Sequence, residues 1–195
     1  LILISRSNSN NLRRIVARNS KKIQLITSDV HGLDTLPFCD YWLHFAASSS
    51  SERYQKDAKL EFKNNINNLQ YFINLVEKTE CSSSILFASS GAVYKPSLKA
   101  LSEISPLVSR TLSINKTNAY AQSKLCGEEV IRNFSNSKIR ANIARCFAFC
   151  GQELPLTSHF AVGNFVGDVL AGRAIHVTAP QPVFRSYLHT DDLVK

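Results

Sequence analysis

Short apolar runs alternate with stretches of helical spacing along this chain, and that alternation restricts it to few architectures. The runs at residues 1–4, 23–27, 41–45, 85–88 and 139–145 have strand length and are largely apolar, the pattern of strands buried on both faces. Between them lie a basic helix reaching about Asn19 and a long stretch, 57–78, in which Leu60, Ile66, Leu69, Ile73 and Val76 recur at helical spacing. A helix opens near Tyr120 and runs to about Asn133, with Thr117 or Asn118 as its cap. The serine run 48–51 closes the third strand, and 146–156 reads as a loop rich in breakers. Beyond it the pattern predicts a helix over about 158–171, Gly172, a short strand over 174–177 and an interruption at Pro180 and Pro182. Such an order indicates an α/β fold, a parallel sheet covered by helices on both faces. Ligands of these sheets sit beyond the carboxyl ends of the strands, where Asp29, Ala46 and Ser90 fall.

Two stretches at those ends carry chemistry. Ser89-Ser90-Gly91-Ala92-Val93-Tyr94 follows the fourth strand, and Tyr120-Ala121-Gln122-Ser123-Lys124 opens a helix. A tyrosine is a poor base at neutral pH, since a phenol ordinarily titrates near about 10. Four residues apart on a helix, Tyr120 and Lys124 share a face, where the ammonium can favour the phenolate. Ser90 could then hold a substrate oxygen while Tyr120 takes or gives its proton. The spacing alone is a weak signal, because an exposed tyrosine beside a snorkelling lysine has the same one. The order of apolar strand, serine pair, loop and Tyr/Lys helix is what gives it weight.

Composition excludes several classes. With 195 residues, 44% of them apolar, the chain can bury a full core. No apolar run approaches the roughly 20 residues of a membrane span. Leu1 to Ile4 lack the basic flank of a signal peptide, and the chain has no methionine, so it reads as a segment of a longer protein. Five cysteines without a Cys-x-x-Cys pair point to reduced thiols in a cytoplasmic protein and away from zinc. The net charge of +8 gathers partly at Arg6, Arg13, Arg14, Arg18, Lys21 and Lys22. No stacking aromatics interleave with these cations, so a solvated helix face is favoured over a nucleic-acid patch.

Taken together, Ser89-Ser90-Gly-Ala-Val-Tyr94, Tyr120-x-x-x-Lys124, His44-Phe-Ala-Ala47, Asn64-Asn65 and Arg185-Ser-Tyr-Leu-His-Thr-Asp-Asp-Leu193 resemble the extended short-chain dehydrogenase/reductases, and within them the nucleotide-sugar epimerase/dehydratase branch. The resemblance implies a Rossmann-like, doubly wound parallel sheet over 1–150, its first β-α unit missing. It implies the start of a smaller substrate-binding region over 151–195. By position, Tyr120 matches the catalytic acid or base, Lys124 its partner that also binds the nicotinamide ribose, and Ser90 the residue that bonds the reacting hydroxyl. Asp29 and Val30 match residues beside adenine; Phe45, Ala46 and Ala47 the loop along the cofactor; Asn64 and Asn65 helix asparagines behind it. Phe147 matches a position near the nicotinamide, and Arg185 an arginine that clamps the sugar-nucleotide pyrophosphate. On their own, Asp29 would be a turn residue, Ala46 and Ala47 small core, Asn65 a surface position and Arg185 an exposed ion-pair partner. His44 and His189 are expected to satisfy backbone groups.

The departures are informative. The glycine-rich turn that cradles a dinucleotide pyrophosphate is absent, so the segment is expected to hold a cofactor weakly. Where NAD-preferring members carry an acid, this chain has Ser5-Arg6-Ser7, which favours NADP over NAD. The Asp-Glu pair of the 4,6-dehydratases is replaced by Gly91 and Ala92, which disfavours dehydration, and Phe149-Cys150-Gly151-Gln152 stands in place of the usual Tyr-Gly-Pro. The expectation is an NAD(P)-dependent epimerase or keto-sugar reductase acting on a nucleotide-linked sugar. Homodimers are common in the resembling family. The alternatives are a non-catalytic dinucleotide- or RNA-binding protein on the same fold, or an inactive fragment.

Overall fold

The computed structural model describes residues 1–48, 50–111, 113–152, 154, 156, 160–177, 179 and 183–195. The strands pair in parallel. β1 (Ile2–Ser5) lies beside β2 (Gln24–Thr27), with Ile4 opposite Ile26. β3 (Tyr41–His44), β4 (Ser83–Ser90) and β5 (Ile139–Cys146) form a second sheet with β4 at its centre. Trp42 faces Ile85 across one pairing, and Phe87 faces Ile143 across the other.

The helices form where local chemistry starts them. The Ser9 hydroxyl accepts the Leu12 N–H at 3.3 Å and opens α1 (Asn10–Arg18). Ser50 caps α2 (Ser51–Lys56), and the Asp57 carboxylate takes the Leu60 N–H at 2.9 Å to start α3 (Ala58–Lys78). The serine run expected only to close β3 therefore also begins a helix. Asn118 stands at the N-cap of α4 (Ala119–Phe134) without bonding the helix. Its side-chain oxygen instead takes the Asn115 N–H, and its amide donates to the Ser113 carbonyl.

Helices α3 and α4 pack on each other and on one face of β3–β5. Leu69, Ile73, Leu75 and Val76 from α3 and Ile131 from α4 bury themselves against Trp42, Ile85, Phe87 and Ile139. On β3, Trp42 and His44 point into this core, while Tyr41 and Leu43, on the other face by strand alternation, are 75% and 59% exposed. Gly127 lets α4 come close. A Cβ there would lie 2.7 Å from the Phe87 ring and 3.3 Å from Leu69 Cδ2.

The far end of the chain differs from expectation. Residues 174–177 form no strand and lie exposed. The pairing in this region belongs to β6 (Ala148–Cys150) and β7 (Tyr187–His189), Phe149 opposite Leu188, so part of the breaker-rich loop is a strand. α5 (Ala161–Leu170) accounts for the described part of the expected helix, and α6 (Thr190–Leu193) follows β7. Ser158, Pro180 and Pro182 lie outside the described residues.

His44 is buried between the Phe72 and Phe87 rings, at 5.0 and 5.7 Å, and its Nδ1 has no partner among the described residues. His189 satisfies a backbone group as expected, its Nδ1 accepting the Asp191 N–H at 3.2 Å. Burial first, then the charge of Lys124, push the His44 imidazole down to about 4 from 6.5.

Between those two values His44 is neutral when folded and protonated when unfolded. Stability is therefore lost as pH falls from 6.5 toward about 4, by roughly 3 kcal/mol in full. Urea unfolding at pH 7 and pH 4.5 should show that loss in the natural protein and a smaller one in His44→Gln. For Gly127→Ala the crowding of Phe87 should outweigh the gain of about 1 kcal/mol in helix propensity. A net destabilisation of about 1–2 kcal/mol is expected by the same measurement, and a stabilised variant would contradict the close approach.

Candidate active site

The carboxyl end of β4 and the first turns of α4 meet at Lys124. Its side chain is buried, and its ammonium donates to the Ala88 carbonyl at 2.7 Å. The same nitrogen lies 5.2 Å from the centre of the Phe87 ring and 6.0 Å from that of Tyr120. Burial pushes the Lys124 ammonium below its ordinary value, and the neighbouring Cys146 opposes that shift. A desolvated cation of this kind needs an oxygen partner, and Ala88 supplies one.

Ser90 is two residues further along β4, opposite Cys146 of β5. Its hydroxyl accepts the Ala92 N–H at 3.2 Å and turns the chain into the single 3₁₀ turn Gly91–Val93. Tyr120 is half-buried, its ring edge-on to that of Tyr54 at 5.8 Å. Among the described residues no hydrogen bond joins Ser90 to Tyr120. The two are linked through Lys124 and the end of β4.

Tyr54 was not singled out from sequence, and it organises the loop after β3. Its hydroxyl takes a hydrogen bond from Asn65 Nδ2 at 2.6 Å and lies 3.3 Å from Ser123 Oγ and from the Ser48 carbonyl. Asn65 also accepts the Ser48 N–H at 2.9 Å. One network thus ties the end of the segment Phe45, Ala46, Ala47, Ser48 to α3 and α4. Phe45 and Ala46 remain exposed, and Asn64 is half-buried with no side-chain hydrogen bond among the described residues.

At the other sheet, the parallel pairing of β1 and β2 brings Arg6 and Asp29 together, Arg6 Nε 4.0 Å from Asp29 Oδ2, both largely exposed. Asp29 also caps the short turn holding Val30 by accepting the His31 N–H at 3.0 Å. Arg6 is therefore a cation already faced by one carboxylate. Phe147 stacks on Tyr94 with ring centres 6.2 Å apart, and a Cβ on Gly91 would meet the Phe147 ring at 2.6 Å. A cleft of about 500 Å³ opens beside these rings, flanked by Glu103, Arg132 and Arg145 and not by Ser90, Tyr120 or Lys124.

Arg185 is not brought to this group. It is exposed just ahead of β7, and its guanidinium donates to the carbonyl of its neighbour Phe184 at 3.2 Å. Sequence reasoning also passed over Glu128, Arg145 and Ser89, which form a buried cluster behind the strand end. The spacing Tyr120, Lys124, Glu128 was the available signal, since it places all three on one helix face.

The chemistry of these donors suits a dinucleotide. Arg6 and Asp29 offer a cation and a carboxylate at neighbouring strand ends, and the buried Ser48 hydroxyl has no partner among the described residues. Among the described residues no helix is long and apolar enough to cross a membrane, and no group of His, Cys, Asp or Glu clusters to hold a metal.

Comparison with known proteins follows the same line. No curated protein sequence matches the chain significantly. Among solved structures it is similar to a UDP-N-acetylglucosamine 4-epimerase from Methanobrevibacter ruminantium M1 in complex with UDP-N-acetylmuramic acid. The identity is 19% and the TM-score 0.78, covering 96% of this chain and 60% of that one. It is similar to a dTDP-glucose 4,6-dehydratase from Streptomyces venezuelae with NAD bound, at 22% identity and TM-score 0.78, over 98% of this chain and 59% of that one. A UDP-glucuronic acid 4-epimerase from Bacillus cereus in complex with NAD and a fluorinated substrate analogue gives 20% identity and TM-score 0.77, over 99% and 62%. These likenesses establish the Rossmann-like fold, and the chain spans about 60% of the length of the first of them. The family described as the NAD dependent epimerase/dehydratase family matches residues 1–195, and the chain belongs to it.

Proposed function

We propose that the full-length protein carrying this chain interconverts a carbinol and a ketone on a nucleotide-linked sugar, as a 4-epimerase or a keto-sugar reductase. The observation that carries this reading is the tether of Lys124 to Ala88 at 2.7 Å, which holds a cation 6.0 Å from the Tyr120 ring at the strand end that bears Ser90. A nicotinamide cofactor, when bound, supplies or accepts the hydride. Ser90 holds the reacting oxygen, Tyr120 moves its proton, and Lys124 offsets the charge that develops on the phenol oxygen. Lys124 would also hold the ribose next to the nicotinamide. Asp29 and Val30 would flank the adenine, with Phe45, Ala46, Ala47, Asn64 and Asn65 along the cofactor.

The wall above Gly91 supports epimerisation or reduction over 4,6-dehydration. An acid at position 91 would have its Cβ 2.6 Å from the Phe147 ring, so it could not be added without moving that ring. Phe147 is assigned to the nicotinamide side of the site and Arg185 to the pyrophosphate of the sugar nucleotide. Arg6 favours NADP over NAD, and Asp29, 4.0 Å away, moderates that preference.

Turnover of a panel of UDP- and dTDP-sugars with NAD and NADP tests the assignment. Tyr120→Phe should lower kcat by at least about a hundredfold. Wild-type turnover in that variant would sink the role given to the phenol. In fluorescence titrations Arg6→Ala should weaken NADPH binding about tenfold and leave NADH nearly unchanged. Equal losses for the two cofactors would reject the phosphate role.

A further inference from the structure

Helix α4 carries a third ionisable residue on the face of Tyr120 and Lys124. Glu128 lies one turn beyond Lys124, and its side chain is 0% exposed. One carboxylate oxygen accepts from Ser89 Oγ at 2.6 Å and Arg145 Nε at 2.9 Å. The other accepts from Arg132 Nη2 at 2.7 Å and Arg145 Nη2 at 2.8 Å. Burial alone would push this carboxyl up. The hydrogen bonds from Arg145, Ser89 and Arg132 outweigh it, and the net shift is downward.

A buried ion pair is weak evidence for stability, because well-packed apolar residues often serve as well. What this carboxylate supplies is direction. Donors from β4, β5 and α4 converge on it and fix both the rotation and the axial setting of the helix. Successive turns of α4 engage successive residues of β4. Lys124 donates to the Ala88 carbonyl, Glu128 accepts from the Ser89 hydroxyl, and the next residue is Ser90. Arg145 extends the setting to the far wall. Its Nη1 donates to Tyr94 Oη at 2.9 Å and to the Glu103 carbonyl at 3.2 Å, and Tyr94 stacks on the Phe147 ring that covers Gly91.

We propose that Glu128 is a positioning residue, which acts with Ser89 and Arg145 to set Tyr120 and Lys124 against Ser90 and the Phe147 wall. The inference rests on the reading of Ser90, Tyr120 and Lys124 given above. Glu128 touches none of the reacting atoms. Its effect is on the distance over which a proton must move, and an error of about 1 Å there can cost about a hundredfold in rate.

The test uses the full-length protein and a sugar nucleotide that it turns over. Ser89→Ala keeps both arginines on Glu128 and removes only the bond to the strand. It should lower kcat about tenfold with KM within about twofold of wild type. Glu128→Leu combined with Arg145→Met replaces the buried pair by apolar side chains. It should hold the urea midpoint near that of wild type while kcat falls about a hundredfold. Wild-type kcat in Ser89→Ala, or in a folded double variant, together with an inactive Tyr120→Phe, would overturn the positioning role and leave the site assignment standing. Full turnover in Tyr120→Phe would instead remove the reading on which the proposal depends. If the double variant does not fold, Ser89→Ala decides.

Discussion

A lysine ammonium taken out of water needs oxygen around it, and in this protein the Ala88 carbonyl at the end of the central strand meets that need. Much of the site follows from this contact. It fixes α4 against β4 at the level of Ser90, brings Tyr120 to the strand end and leaves His44 beside a positive charge that helps keep it neutral. The contact is possible because the helix comes close, and the closeness is set by Gly127 against Phe87. Packing and chemistry are the same constraint seen from two sides.

Desolvating charged groups costs free energy, and the molecule concentrates that cost in one place. Lys124 and Glu128 are both buried on α4, one turn apart; Lys124 finds its partner on β4, and Glu128 finds its partners on β4, on β5 and on α4 itself. The same helices and strands also bury a continuous apolar core that includes Leu69, Val76, Ile85 and Ile131. Polar groups buried in this way specify an arrangement more than they stabilise it. The Tyr54, Asn65, Ser123 and Ser48 network does the same for the loop after β3 at lower cost, because its members are uncharged.

The fold was legible wherever the hydrophobic period was long. The 21 residues of α3 and the strand runs around Ile85 and Ile143 announce themselves through burial patterns that repeat several times. Three-residue strands do not. Ala148–Cys150 and Tyr187–His189 exist because each completes the other's ladder, which no window around either could reveal, while residues 174–177 have strand-like composition and no pairing partner among the described residues. The candidate site divides along the same line. Tyr120 and Lys124 share a helix face by spacing, and Ser90 and Asp29 stand at strand ends by pattern. The bonds from Glu128 to Arg145 and Ser89, and from Tyr54 to Ser123, join elements 17, 39 and 69 residues apart and appear only once the chain is folded. Arg185 was legible only through its motif, and among the described residues its guanidinium donates to its neighbour's carbonyl.

The proposed setting of α4 on β4 has a serine hydroxyl and a tyrosine phenol converge on one substrate oxygen, with the lysine behind them. A crystal structure of the full-length protein with nicotinamide cofactor and a sugar nucleotide measures this directly. Ser90 Oγ and Tyr120 Oη are expected to lie within about 3 Å of the same sugar hydroxyl, with Lys124 still on the Ala88 carbonyl. A complex in which the two oxygens address different atoms, or in which Lys124 leaves the strand, would contradict it.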